Sequence, residues 1–120
     1  MGERVLVDTD CLIDYYRGKL ELNFENSYYL SEITVYEFIR GTKDVKEAKR
    51  ILEESFDIIW LDNEILEKAS DIWRSLKAKG KLIEDRDLII GATAITKKLK
   101  LLTRNTKHYG KLKTYGLVFY

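Results

Sequence analysis

Along this chain, short apolar runs alternate with longer stretches in which apolar positions recur every three or four residues. That alternation sets the expected elements. Arg4 to Asp8 (RVLVD) reads as a short buried strand ending on a carboxylate. Leu12 to Arg17 reads as a short helix stopped by Gly18. Tyr28 to Leu30 is a second strand-like run, and Ser31 or Thr34 is placed to cap the helix in TVYEFIRG, which Gly41 ends. Asp44 to Glu54 has helical spacing, with Val45, Ala48, Ile51 and Leu52 on one side, and Phe56 to Leu61 is a strand. Asn63 to Lys79 predicts a long amphipathic helix whose stripe is Ile65, Leu66, Ala69, Ile72, Trp73 and Leu76, with Gly80 ending it. Asp85 to Lys98 is a helix with the apolar centre LIIGATAI. Leu99 to Thr103 is a strand, Asn105 to Leu112 a short helix and Leu117 to Tyr120 a last strand.

Strands alternating with helices, without an Asn-Gly hairpin signal, predict an α/β fold with a mainly parallel central sheet flanked by helices. At 120 residues, the chain fits a single domain over 1–120. Hydrophobic residues make up 45% of it, enough for a real core and against a disordered reading. No apolar run approaches the ~20 residues of a membrane span, and charges interrupt the opening MGERVLVDTD where a secretory leader would be apolar. Cys11 is the single cysteine, so no intrachain disulfide and no zinc-ligand spacing exist. These features lead to the expectation of a cytoplasmic protein.

The net charge of +1 is uninformative, but its distribution is not. From Leu88 to Tyr120 there is no acid. Seven of the 21 basic residues lie there: Lys97, Lys98, Lys100, Arg104, Lys107, Lys111 and Lys113. The first 87 residues carry the remaining 14 against all 20 acids, a net of −6. An acidic body beside a basic end suits a protein that holds cations at one place and an anionic polymer next to it. A solvated lysine face is the plainer alternative.

In an open parallel sheet, sites form beyond the carboxyl ends of the strands, which directs attention to Asp8, Thr103 and Asn105. Asp8 is equally readable as a helix cap, although Asp10 lies nearer the expected helix. Asp87 shares a helical stripe with Ile90, Gly91 and Ala94, so it looks inward, where a carboxylate is costly unless paired or metal-bound. Glu37 sits in the middle of a short helix and by itself reads as an exposed glutamate. Asp14 and Glu84 also read as ordinary surface acids. Cys11 reads as a small core residue, and His108, the sole histidine, has no nucleophile partner in the sequence.

Four segments, taken in order, resemble PIN-domain ribonucleases, and within them the small VapC-type toxins of toxin–antitoxin pairs. They are VLVDTDCLIDYYRG, SEITVYEFIRG, DRDLIIGATAI and LKLLTRNTKHYGKL, and they run nearly end to end. The resemblance implies a PIN domain over 1–120 that cuts single-stranded RNA. It implies that Asp8, Glu37 and Asp87 hold Mg²⁺ or Mn²⁺, with Asp87 also orienting the attacking water. Asn105 would supply a neutral oxygen or position a metal-bound water. Thr9 and Thr103 would hydrogen-bond the carboxylates or phosphate, and Arg104, Lys107 and Lys111 would meet the RNA backbone. Tyr109 fits the aromatic expected shortly after Asn105. The chemistry is consistent, because hard divalent cations prefer oxygen ligands and converging acids need a cation between them. The resemblance further implies a homodimer neutralised by an antitoxin. The aromatic residues Tyr15, Tyr16, Tyr28, Tyr29, Tyr36 and Trp73 are candidates for those interfaces as well as for the core. Two other readings compete. The Asp8-Thr9-Asp10 triplet suggests a haloacid-dehalogenase-type phosphatase, in which Asp8 would be a covalent nucleophile. A catalytically weak PIN-like scaffold that binds RNA or protein is the other.

Overall fold

In the computed structural model of the chain, which describes residues 2–120, β1 (Arg4–Val7) runs down the middle of a four-stranded sheet. Its companions are β2 (Ser27–Ser31), β3 (Asp57–Ile59) and β4 (Lys100–Leu102), in the order β3-β2-β1-β4. All three pairings are parallel; Val5 faces both Tyr28 and Lys100, and Leu30 faces Ile58. The α/β reading with a parallel sheet is therefore borne out.

Successive side chains of a strand point to opposite faces, and here they found two cores. Leu6 joins Leu101 and the inward faces of α4 (Asn63–Ala78) and α5 (Asp85–Lys97), including Ile65, Ile72, Leu76 and Ile90. Val5 and Val7 join Leu30 on the other face. There they meet α1 (Thr9–Tyr16), α2 (Glu32–Ile39) and α3 (Val45–Ser55) through Cys11, Leu12, Val35 and Leu52. β1 is apolar at every position after Arg4 because it is covered on both faces. The chain closes with α6 (Thr106–Tyr109) and a 3₁₀ segment, Gly110–Tyr115.

From β1 the chain steps outward through β2 and β3 and then returns to place β4 on the other side of β1. The order of strands reverses between β1 and β4, and a crevice beyond their carboxyl ends is where such sheets bind ligands. Asp8 and Thr103 follow those two strands directly.

Several local expectations are corrected. α1 starts at Thr9, immediately after Asp8, because Asp8 itself occupies the cap position and accepts the Thr9 N–H at 2.8 Å. Asp10 lies in the first turn instead. Ser31, not Thr34, caps α2, accepting from Ile33 N at 3.2 Å. Leu117–Tyr120 is not a strand but a single parallel bridge between Leu101 and Phe119, since β4 is only three residues long and leaves little edge to pair with. The helix expected over Asn105–Leu112 gives way at Gly110, a poor α-helix former, to the tighter 3₁₀ turn. Val45 and Ile51 on α3, and Leu66 and Trp73 on α4, are exposed; the buried stripes are narrower than the apolar ones. Among the described residues no helix is long and apolar enough to cross a membrane.

Candidate active site

Three elements bring three acids to one crevice, around a shared arginine. Asp8 comes from the end of β1, Glu37 from the last turn of α2 and Asp87 from the first turn of α5. The Asp8 and Asp87 side chains are almost wholly buried, at 3% and 4% exposure, and that of Glu37 is at 14%. The inward stripe of Asp87 is real: Ile90, Gly91 and Ala94 are buried beneath it. Gly91 leaves room there for Leu112, whose Cδ1 would have to shift to admit a Cβ. Glu37, read from its own surroundings as an exposed residue, faces the cluster.

The cation among these acids is one the sequence reading missed. Arg86 spreads its guanidinium across all three. Its Nε donates to Glu37 Oε2 at 2.8 Å and its Nη2 to Glu37 Oε1 at 2.8 Å, a bidentate pair. Nη2 also reaches Asp8 Oδ1 at 3.1 Å and Thr9 Oγ1 at 3.3 Å, and Nη1 meets Asp87 Oδ1 at 2.5 Å. A signal for it was available. A cation in the first turn of a helix opposes the helix dipole, so Arg86 between Asp85 and Asp87 calls for a compensating partner. His108 was also missed; its Nε2 stands 3.8 Å from Asp87 Oδ2.

Hydroxyls fix the carboxylates. Thr9 Oγ1 donates to Glu37 Oε1 at 2.6 Å, with Thr34 Oγ1 3.1 Å away. Thr103 Oγ1 donates to Asp8 Oδ2 at 2.9 Å and accepts the Asn105 N–H at 3.0 Å. Burial pushes the Asp8 carboxyl above its ordinary value, against the opposing hydrogen bond from Thr103 and the charge of Arg86. Burial also pushes Glu37 up, but its hydrogen bonds from Arg86 and Thr9 together outweigh that and hold it below the usual range. Desolvation works against the charge on Arg86, yet its bonds to Glu37 and the charge of Asp8 keep it firmly protonated.

The remaining sequence candidates divide. Asn105 is exposed and touches the cluster only through its backbone bond to Thr103. Arg104 is exposed at the rim, its backbone N–H bonded to Asp10 Oδ2 at 3.2 Å and its Nε paired with Asp14. Asp14 is thus tied to a basic group rather than being a free surface acid. Lys107 is exposed beside His108, whereas Lys111 lines a different groove with Lys79, Lys81 and Tyr115. Asp10 spends both oxygens on backbone N–H groups, of Cys11 at 2.7 Å and of Arg104, so the paired acid a phosphatase would need is absent from the cluster. Cys11 is buried, and burial first, then the nearby Asp10 charge, push its thiol up to about 12, as suits a core residue.

The donor set suits a hard divalent cation: three carboxylates with threonine hydroxyls beside them, all oxygen. Three acids against one guanidinium leave the centre short of positive charge. Tyr109 is fully buried, and its burial and the charges of Asp8 and Asp87 push its phenol up, so it stays protonated beside the acids.

Known proteins resemble the chain throughout its length. The family model for the PIN domain matches residues 5–111. Ribonuclease VapC1 of Methanocaldococcus jannaschii is 44% identical over 119 residues, covering 98% of this chain and 87% of that protein. A toxin–antitoxin complex from Klebsiella pneumoniae contains a chain 31% identical, with a TM-score of 0.66 over 88% of this chain and 89% of that one. DNA-bound VapBC from Salmonella typhimurium shares the fold at a TM-score of 0.77 and 19% identity, over 98% and 97% of the two chains.

Proposed function

This chain belongs to the PIN domain family, and from that premise we propose that it hydrolyses RNA with a divalent cation held by Asp8, Glu37 and Asp87. It is a ribonuclease, as its relative from M. jannaschii is named, and a toxin of the kind found in toxin–antitoxin pairs. The observation that carries the site assignment is the convergence of three acids from three separate elements on one guanidinium, two of them buried and the third largely so. Buried like charges are costly to assemble, and such an expense is a mark of function rather than of packing.

Mg²⁺ or Mn²⁺ bound there would polarise the scissile phosphate and lower the pKa of a water. The protein's own groups prepare the place. Thr103 and Thr9 fix which oxygens of Asp8 and Glu37 face the crevice. Asp87, almost wholly buried beside Arg86, would orient the attacking water. Asn105, exposed at the rim and tied to Thr103 through its backbone, would supply a neutral oxygen to the ion or to its water. Arg104 and Lys107 flank the same opening and offer charge to the RNA backbone, which gives affinity without sequence choice. Lys111 would act on a longer stretch of RNA, from its own groove.

A protein antitoxin and a homodimer belong to the same proposal. Exposed Tyr16, Tyr36 and Trp73 are available for such contacts, whereas Tyr28 is buried in the core. Light scattering of the chain alone, and then with the product of an adjacent small gene, tests both.

The direct test of the site uses charge-removing variants. Asp8→Asn, Glu37→Gln and Asp87→Asn should each lower the cleavage of labelled single-stranded RNA by about a hundredfold or more. Circular dichroism should show each one folded. Wild-type rates in any folded member of the set would remove that residue from the site.

A further inference from the structure

Arg86 occupies the position from which the acids would have to share an ion. Five hydrogen bonds leave its guanidinium for Asp8, Thr9, Glu37 and Asp87. Among the described residues no three acid, histidine or cysteine side chains are gathered closely enough to share one ion. The carboxylates are instead spaced around the planar fork of Arg86. One guanidinium leaves two of the three carboxylate charges uncompensated, and once it withdraws all three face an incoming ion.

The side chain also has an exit. Arg86 is 29% exposed while Asp8 and Asp87 are nearly closed off, so it stands on the solvent side of the acids rather than behind them. It springs from the first turn of α5, where the helix dipole repels a cation; its acid partners hold it there against that field.

We infer that Arg86 is an exchangeable counter-cation, closing the acid centre on itself in the metal-free chain and swinging out to admit a divalent ion. This rests on the metal-dependent reading above and adds a control to it. Metal loading is then a competition between an internal cation and an external one, and the same contacts keep the empty centre from repelling itself apart. A binding-competent state that is only a minor population weakens the apparent affinity by that fraction. With the open form at roughly 0.1–10%, removing Arg86 should tighten metal binding by roughly tenfold to a thousandfold.

The test titrates Mn²⁺ alone into metal-free wild type, Arg86→Gln and Arg86→Lys by calorimetry, and follows thermal melting of each in EDTA. The glutamine variant should bind Mn²⁺ at least about tenfold tighter than wild type. It should melt lower than wild type in EDTA, with the gap narrowing as Mn²⁺ is added. The lysine variant, keeping the charge but losing the fork, should fall between the two. Wild type binding Mn²⁺ while Arg86→Gln binds it equally or more weakly would overturn the gating role and leave the metal centre intact. Should the glutamine variant fail to fold, the lysine variant decides by the same criterion, tighter binding than wild type in favour and equal or weaker binding against. Mn²⁺ binding to none of the three proteins would bring down the metal-dependent reading and the gating role with it.

Discussion

Thr103 illustrates how much of this site hangs on single polar atoms. Its hydroxyl donates to Asp8 Oδ2 and accepts from Asn105 N, so one oxygen fixes both the carboxylate and the start of the next turn. Thr103→Val keeps the shape and deletes both bonds. Partners that orient metal ligands contribute about 10- to 100-fold in affinity, so the variant should bind Mn²⁺ that much more weakly while keeping its fold. The Thr103 bond is also a main influence holding the raised Asp8 carboxyl down. Losing it raises that carboxyl further, so as pH falls the variant should lose metal at a higher pH than wild type does. Calorimetry across pH checks both; an unchanged affinity and profile would reduce Thr103 to a turn residue. At this scale the sequence was legible in proportion to how far each residue's neighbours constrained it. Asp8 follows an apolar run, and Asp87 sits over Gly91 and Ala94, so both stood out from local pattern. Glu37 did not: nothing within α2 distinguishes it from a solvated glutamate, and only the family resemblance selected it. Arg86 and His108 escaped because the partners that draw them into the site, Asp8 and Glu37 for the first and Asp87 for the second, lie on other elements.

Elements were read well where periodicity is long and poorly where pairing is tertiary. α4 and α5 lie within a residue of their expected bounds. The terminal strand was wrong because its apolar run found only one bridge on a short edge. The packing of α5 carries its own test. Gly91 lets Leu112 and Tyr109 settle on the helix, with Tyr109 Cδ1 only 4.0 Å from where a Cβ would be. Alanine is the better helix former by about 1 kcal/mol, but overpacking a filled core costs about 1–3 kcal/mol. The second effect should win, since both neighbours are fully buried and cannot move away. Gly91→Ala should therefore lower the melting temperature, and its cost should shrink when combined with Leu112→Ala. A higher melting temperature for Gly91→Ala alone would contradict the packing described.

At the scale of the whole molecule, the strand order decides where chemistry can occur. By stepping outward from β1 and then returning to its other side, the chain opens one crevice, and it spends its polar residues there. Asp8 and Thr103 end adjacent strands, α2 and α5 bring Glu37 and Asp87 from opposite faces of the sheet, and the exposed segment from Arg104 to His108 forms the rim. Of the basic residues in the acid-free end of the chain, Arg104 and Lys107 lie at that rim, while Lys97, Lys100 and Lys111 face other parts of the surface. The central claim is that one metal-loaded acid centre cuts RNA. The most direct measurement is a titration of Mn²⁺ into the metal-free chain with labelled single-stranded RNA present, following ion binding and cleavage in the same sample. Cleavage should be absent in EDTA and should rise along the binding curve, reaching its maximum as the site fills. Cleavage at full rate in EDTA, or a filled site with no cleavage of any single-stranded RNA supplied, would contradict the account.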